Sequence, residues 1–476
     1  MYLFARCKTL AALGAIASII VMGHAQASDT LARQDSAADQ ASGRQSQVLV
    51  KEPGGQSGFF EGSQLDVLER LYFRKLSDVY PELTYARAEG DSPPSYFSKK
   101  TAALATLGST VTFRSGYTPG VLGVGLDLSA MNGTTVYGDQ GTTSLSADMA
   151  NIDSVGRPNR NWSKMAVSDI KLKVSQTELK AGRQLIDSPL LHSNYNRTFP
   201  ASFVGVTLVS DDVKNYVFKA GSVTKVIGRN STNEERLSLS YAPSIKFGRA
   251  SYAGVDYSTA EGFSATVAST LLEDTLTQYL LEAKQLYQWS AGLQVTPEMA
   301  IYHSHGTGKA LAGDNAVSMA IVGVTSEWAG NSLTLKYQQV FGNTFYDYLL
   351  ETNSIYYSNT MYSDYQGPRE KSLQVLYKRD FAGNGIPGLM LYAWALSGWD
   401  IDGSHYTGTV YREVLQGVNN ARHHEVGISP MYVVQSGDLK QASVRLGYVV
   451  HRQSGKQITG NANELLLVAE FPLNIF

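Results

Sequence analysis

The stretch Val121-Leu-Gly-Val-Gly-Leu-Asp-Leu-Ser-Ala-Met131 alternates without a break. Leu122, Val124, Leu126, Leu128 and Ala130 share one face, and Gly123, Gly125, Asp127 and Ser129 share the other. A period of two over such a run marks a strand with one apolar face and one small or polar face. Just upstream, residues 105–115 set Leu107, Val111 and Phe113 against Thr110, Thr112 and Arg114. Gly116-Tyr-Thr-Pro-Gly120 joins the two runs with residues suited to a turn, so together they read as a hairpin.

The same unit recurs along the chain. Residues 165–174 place Ala166, Ile170, Leu172 and Val174 opposite Asp169, Lys171 and Lys173, then turn at Ser175-Gln-Thr177 into residues 178–183. Residues 316–325 turn at Ala329-Gly-Asn331 into 332–340. From the first segment, 65–74, to the last, 465–475, about eighteen strands are expected. Short turns alternate with long connections, at 75–104, 131–164, 184–202, 222–249, 303–315, 341–370, 397–423 and 451–463. A soluble sandwich gives no reason for tight turns at one end and long loops at the other. A transmembrane antiparallel β-barrel does, with short periplasmic turns and long external loops.

Composition agrees. Charged residues make up 17% of the 476, below the ~25% usual for soluble domains, while Gly (44) and Tyr (28) are abundant. Beyond the N-terminus no apolar run reaches the roughly 18 residues of a membrane-spanning helix. Arg6 and Lys8, the apolar run 10–22 and Ala25-Gln-Ala27 read as a signal peptide over residues 1–27. Its removal takes away the single cysteine, Cys7, and shifts the formal charge from −2 to −4, which gives no support to nucleic-acid binding. Residues 28–57, rich in Ser, Gln, Asp and Ala, read as a flexible extension. The barrel is then expected over 58–476. Phe476 departs from the parity of Leu465, Leu467, Phe471, Leu473 and Ile475, which a bulge near Pro472 would explain.

Several motifs carry a family resemblance. Gly58-Phe-Phe-Glu-Gly-Ser63 leading into 65–73 resembles the mature start of the OprD family of outer-membrane porins. Thr177-Glu-Leu-Lys-Ala-Gly-Arg183, Asp187-Ser-Pro-Leu190 and Arg197-Thr-Phe-Pro200 are similar to a later stretch of that family. Gly385-Ile-Pro-Gly-Leu389, residues 433–445 and residues 464–476 are similar to its late periplasmic turn, penultimate hairpin and closing strand. The resemblance implies an eighteen-stranded barrel of the outer membrane with a narrow pore for small hydrophilic solutes, as a monomer or weak homotrimer. It also implies an inward-folded loop that constricts the lumen and a row of basic side chains that guides anionic groups.

The loop 184–202 matches the constricting loop, and Asp187, Tyr195 and Arg197 are expected near the narrowest point. Arg70, Lys171, Lys173 and Arg445 each stand opposite apolar neighbours, so they face the lumen, because a cation on the lipid face costs about 2–4 kcal/mol at mid-membrane. Lys180 matches the row as well, on a short strand. Some of these cations could instead serve only to neutralise lumen carboxylates such as Asp127 and Asp169. The Tyr-rich loop 341–370, with Tyr346 and Asp347, matches a family loop that narrows the pore from the other side. Its carboxylates would oppose the basic row, or its rings would stack on sugars.

The expected activity is passive diffusion of small nutrients bearing a carboxylate, such as amino acids or small organic acids. The alternatives are a chitooligosaccharide channel of the same family and, in another class, a secreted soluble β-sandwich that binds ligands. An enzyme is not expected: no Walker loop, G-x-S-x-G or H-E-x-x-H occurs, and no cofactor is implied. His423 and His424 are adjacent on a strand and face opposite ways, and His303-Ser-His305 lacks a third metal ligand.

Overall fold

The computed structural model describes residues 58–80, 83–87, 95–138, 148–153, 157–290, 292–456 and 460–475. The signal peptide and extension expected over 1–57, and Phe476, lie outside the described residues. Eighteen strands form one antiparallel sheet. The first nine are β1 (Gln64–Tyr80), β2 (Ala102–Arg114), β3 (Gly123–Gly138), β4 (Asn161–Val174), β5 (Thr177–Gln184), β6 (Ser202–Ser210), β7 (Tyr216–Ile227), β8 (Ala250–Ser258) and β9 (Phe263–Leu272). Then come β10 (Leu276–Gln285, continued by Tyr287–Ser290), β11 (Leu293–Gly306), β12 (Ala316–Trp328), β13 (Asn331–Phe341) and β14 (Lys371–Asp380). The last four are β15 (Leu389–Ile401), β16 (Ala421–Val433), β17 (Ser443–Ser454) and β18 (Asn461–Asn474). The sheet closes because β1 pairs with both β2 and β18, setting Arg70 opposite Gly108 on one side and Glu470 on the other. Closure leaves no open edge.

Burial separates the barrel from a sandwich. Val111, Leu128, Ile170, Val267 and Val426 lie on the outer surface, whereas Arg70, Asp127, Asp169, Lys171 and Gln278 are buried inside. A sandwich would bury the apolar set. Here the apolar set faces outward, which is stable only against lipid.

All eighteen expected strands are present, and several run further than their alternation indicated. β1 reaches Tyr80, β3 reaches Gly138, and β4 starts at Asn161. These extensions lie at the long-loop end, where outward positions such as Thr134, Asn161 and Ser163 are polar and leave no apolar signal. The 75–104 connection accordingly carries a hairpin of its own, Leu83–Arg87 with Ser95–Lys99. The link from β17 to β18 shrinks to 455–460. At the other end, Ala329 and Gly330 both take positive φ (44° and 78°), the type I′ geometry that matches strand twist in a two-residue hairpin.

Two local expectations are corrected. Ala166 does not share the face of Ile170: the β3–β4 register shifts there, Ala166 is fully buried, and Met165 takes the outward position. No bulge occurs near Pro472, since the β1–β18 register runs unbroken from Asp66–Asn474 to Ser77–Asn463.

Candidate functional site

Three loops fold into the barrel and join one another. The β5–β6 loop (185–201) and the β13–β14 loop (342–370) exchange backbone hydrogen bonds. Asn194 donates to the Glu351 carbonyl at 3.1 Å, and Asn353 donates to that of His192 at 2.8 Å. The β7–β8 loop (228–249) joins them, with Ser240 donating to the Tyr348 carbonyl at 2.8 Å and Leu350 to that of Ser238 at 2.9 Å. Backbone taken off the barrel wall must find partners elsewhere, and these loops supply them to each other.

The wall fixes the β5–β6 loop at several points. Tyr72 Oη donates to the Asn196 carbonyl at 2.9 Å. Lys164 is buried on the inner face of β4 and donates to the carbonyls of Pro200, Gly228 and Arg229 at 3.1, 2.7 and 3.1 Å, tying two loops with one ammonium. Arg197, expected near the constriction, binds Asp148 (Nε–Oδ2, 2.8 Å), which also accepts from Arg74 at 2.8 Å. Burial raises the Asp148 pKa, but Arg197 and then Arg74 outweigh it and hold the carboxyl well below its ordinary range. Tyr195 lies over Arg70, whose guanidinium carbon is 4.3 Å from the ring centroid. Burial pushes the Tyr195 phenol up to about 12, so Arg70 meets a neutral ring. Asp187 stays open to the lumen, 3.1 Å from His192 Nδ1 and 3.6 Å from Lys219 Nζ.

The basic row projects inward from β17, β1, β4 and β5. Arg70 Nε meets Glu470 at 3.0 Å across the closing pair. Lys171 and Lys180 share Asp127 at 2.8 and 2.9 Å, one on each oxygen. Arg445 is buried inside while Val444, Leu446 and Tyr448 face out. The row is not uniformly open. Arg70, Lys171 and Arg445 are almost wholly buried, whereas Lys173 and Lys180 keep part of their surface in the lumen. Tyr117 provides the cover, its ring 4.9 Å from Lys171 Nζ and 5.5 Å from Lys173 Nζ.

The β13–β14 loop differs from expectation. Tyr346 is fully buried and packs edge-on against Tyr302, 5.5 Å between centroids. Asp347 is buried too: Oδ1 accepts the backbone N–H groups of Tyr241 (2.9 Å) and Tyr348 (2.8 Å), and Oδ2 accepts from Tyr411 Oη (3.0 Å). Neither presents a face to the basic row, because a loop this long must bury its own side chains to hold a position inside a wide barrel. Its end is pinned by His423, whose Nε2 lies 2.6 Å from Glu370 Oε1 and whose ring stacks on Tyr365 at 3.9 Å. His424 points outward, as alternation requires.

The carboxylates opposite the row come from the wall instead. Asp256 (β8) lies 3.3 Å from Lys219, and Glu298 (β11) lies 2.7 Å from Lys336. Arg74, Asp148, Glu351 and Glu470 complete the site and were not singled out from sequence. Arg74 shares the parity of Arg70, which is a usable signal; Asp148 and Glu351 stand in loops with no period to read.

Comparison with known proteins agrees with this architecture. A family model described as "outer membrane porin, OprD family" matches residues 57–475. Porin D of Pseudomonas aeruginosa is 29% identical over 444 residues, covering 90% of this chain and 94% of that one. The crystal structure of Pseudomonas aeruginosa OccD3 (OpdP) superposes with a TM-score of 0.79 at 30% identity, covering 93% of this chain and 98% of the other. That of Pseudomonas aeruginosa OprD gives 0.73 at 26%, covering 90% and 99%.

Proposed function

The chain belongs to the OprD family of outer membrane porins, and on that premise we propose that it admits small hydrophilic nutrients bearing a carboxylate, such as amino acids or small organic acids, by passive diffusion. A pore selects by diameter, by the hydrogen-bonding groups on its wall and by the sign of its field. The single observation that supports a carboxylate preference is the convergence of Arg445, Arg70, Lys171, Lys173 and Lys180 on one inward strip, with Lys173 and Lys180 still part-open beside it.

Glu470 and Asp127 hold the strip together without erasing it. Each is shared or local, so a passing carboxylate competes for cations already oriented toward the lumen. Asp187, Asp256 and Glu298 on the other side suit a solute that also carries an amine. The sugar-channel alternative needs open aromatic faces, and the buried positions of Tyr346 and Tyr365 remove two of its candidate platforms.

Liposome swelling with amino acids, dicarboxylates and chitooligosaccharides of matched size tests the reading. Faster swelling with the carboxylates supports it. Equal or faster swelling with chitooligosaccharides overturns it.

A further inference from the structure

On the outer surface of the barrel, at the long-loop end, β13, β14 and the β15–β16 connection enclose a notch of about 560 Å³. It opens outside the lumen, where Gly342, Asn343 and Arg369 form the two ends of the β13–β14 loop. Lys371, at the start of β14, has outward parity with Gln339 and Trp399, its register partners. Arg369 is exposed beside it, its Nε donating to Asn343 Oδ1 at 3.2 Å. The β15–β16 register slips between Gly398 and Ile401, and this bulge carries the Asp400 carboxylate to 3.0 Å from Lys371 Nζ.

Three non-glycine residues around the notch hold positive φ: Arg369 (61°), Asp400 (61°) and Asn420 (46°). Backbone held in that region costs of order 1–3 kcal/mol per residue and persists only where the surroundings enforce it. Toward the membrane the surface turns apolar. Leu373 is exposed outward below Lys371, level with Tyr337, whose ring lies 6.5 Å from that of Trp399 to form an interfacial girdle, while Phe341 is exposed on the loop side of Lys371. The notch therefore has a charged upper lip, where Arg369 and Lys371 stand beside Asp400 and Asp402, and an apolar lower one.

We propose that this notch binds the phosphorylated sugar headgroup of an outer-leaflet glycolipid. The guanidinium of Arg369 and the ammonium of Lys371 take the phosphate. Asp402 and Asn420 provide partners for sugar hydroxyls, and the acyl chains descend over Trp399, Leu373 and Tyr337. Arg422, exposed and outward on β16, adds a third cation to the charged lip. A soluble anion would have no use for the apolar lower edge. The inference rests on the outer-membrane position of the barrel and not on what the pore conducts.

Native mass spectrometry of the full chain in mild detergent provides the test, with a deep-rough lipopolysaccharide as probe, its dephosphorylated form, and inorganic phosphate as competitor. The expected result is a bound lipid whose retention falls at least about fivefold in Arg369→Ser/Lys371→Gln and in the dephosphorylated probe. Arg369→Gln alone, which removes one exposed side chain, lowers it partially. Lys309→Gln, at an exposed position elsewhere on the same rim, leaves it unchanged. Heat-modifiable gel migration verifies that each barrel is folded, and a double variant that does not fold passes the decision to Arg369→Gln. Equal retention by the wild type and the folded variants, an equal loss in Lys309→Gln, or complete displacement by inorganic phosphate would each overturn the proposal.

Discussion

The Tyr195 ring lies over Arg70, 4.3 Å from guanidinium carbon to ring centroid, and the Tyr195 carbonyl accepts from Arg70 Nη1 at 3.4 Å. The constricting loop thus covers a cation of the basic row with an aromatic face. A covered guanidinium is screened from the lumen but remains charged. Tyr195→Ala should uncover it, raising single-channel conductance roughly 1.5- to 2-fold and strengthening anion preference. Planar-bilayer recording checks this; a conductance equal to that of the wild type would show that the gap lies elsewhere.

Asp148 sits between Arg74 and Arg197 and joins the β3–β4 loop to the constriction. Asp148→Asn leaves Arg197 short of a counter-charge, while Arg74 keeps Glu464, and should cost about 1–3 kcal/mol of loop docking. Open-channel noise and anion selectivity should both rise. Asp148→Glu should restore selectivity better than it restores quietness, since the charge returns with altered reach.

The buried carboxyl of Asp347 gives a pH dependence. Burial raises its pKa, and the N–H groups of Tyr241 and Tyr348 only partly offset that, leaving it at about 6 against an ordinary 3.8. A carboxyl raised in place stabilises the docked loop below its unfolded value and loses that contribution as pH rises through about 6, a difference of about 3 kcal/mol. Gating events should therefore become more frequent as pH rises from about 4 to about 6. Asp347→Asn, which keeps an acceptor for both N–H groups and gains a donor toward Tyr411, should flatten that dependence. A wild-type record indifferent to pH across this window would count against it.

Lys164 holds three carbonyls from two loops with one buried ammonium. Lys164→Met retains the stem and removes the donors, leaving three acceptors short of a partner. A cost of about 2–4 kcal/mol to the loop assembly is expected, read as accelerated proteolysis within 185–201 and 228–249 while the barrel keeps its heat-modifiable migration. Unchanged proteolysis would mean that the inter-loop backbone bonds suffice.

Much of this architecture was legible because lipid demands an apolar residue at every second position. Leu122 to Ala130, or Leu333 to Tyr337, announce a strand on their own. The demand ends where the strand leaves the membrane, so β3 past Met131 and β4 before Met165 gave no such sign. The inward orientation of Arg70, Lys171, Lys173 and Arg445 was readable from parity, whereas Lys180, on a short strand, entered only through the family resemblance. Their cover was not readable. Tyr195, Tyr117 and Asp148 reach the row from loops and turns whose partners stand tens of residues away, and no period links them. The Tyr-rich loop shows the same limit: Tyr346 and Asp347 look like pore furniture in sequence, yet they anchor the loop to the wall and to its neighbours.

The central claim is that the inward basic strip sets which solutes the pore prefers. Reversal of its two part-open members, Lys173→Glu with Lys180→Glu, tests it most directly through the reversal potential across a bilayer in a KCl gradient. The wild type should show the sign of an anion-preferring pore, and the double variant should move to the opposite sign. Identical reversal potentials in the two proteins would contradict a selective role for the strip.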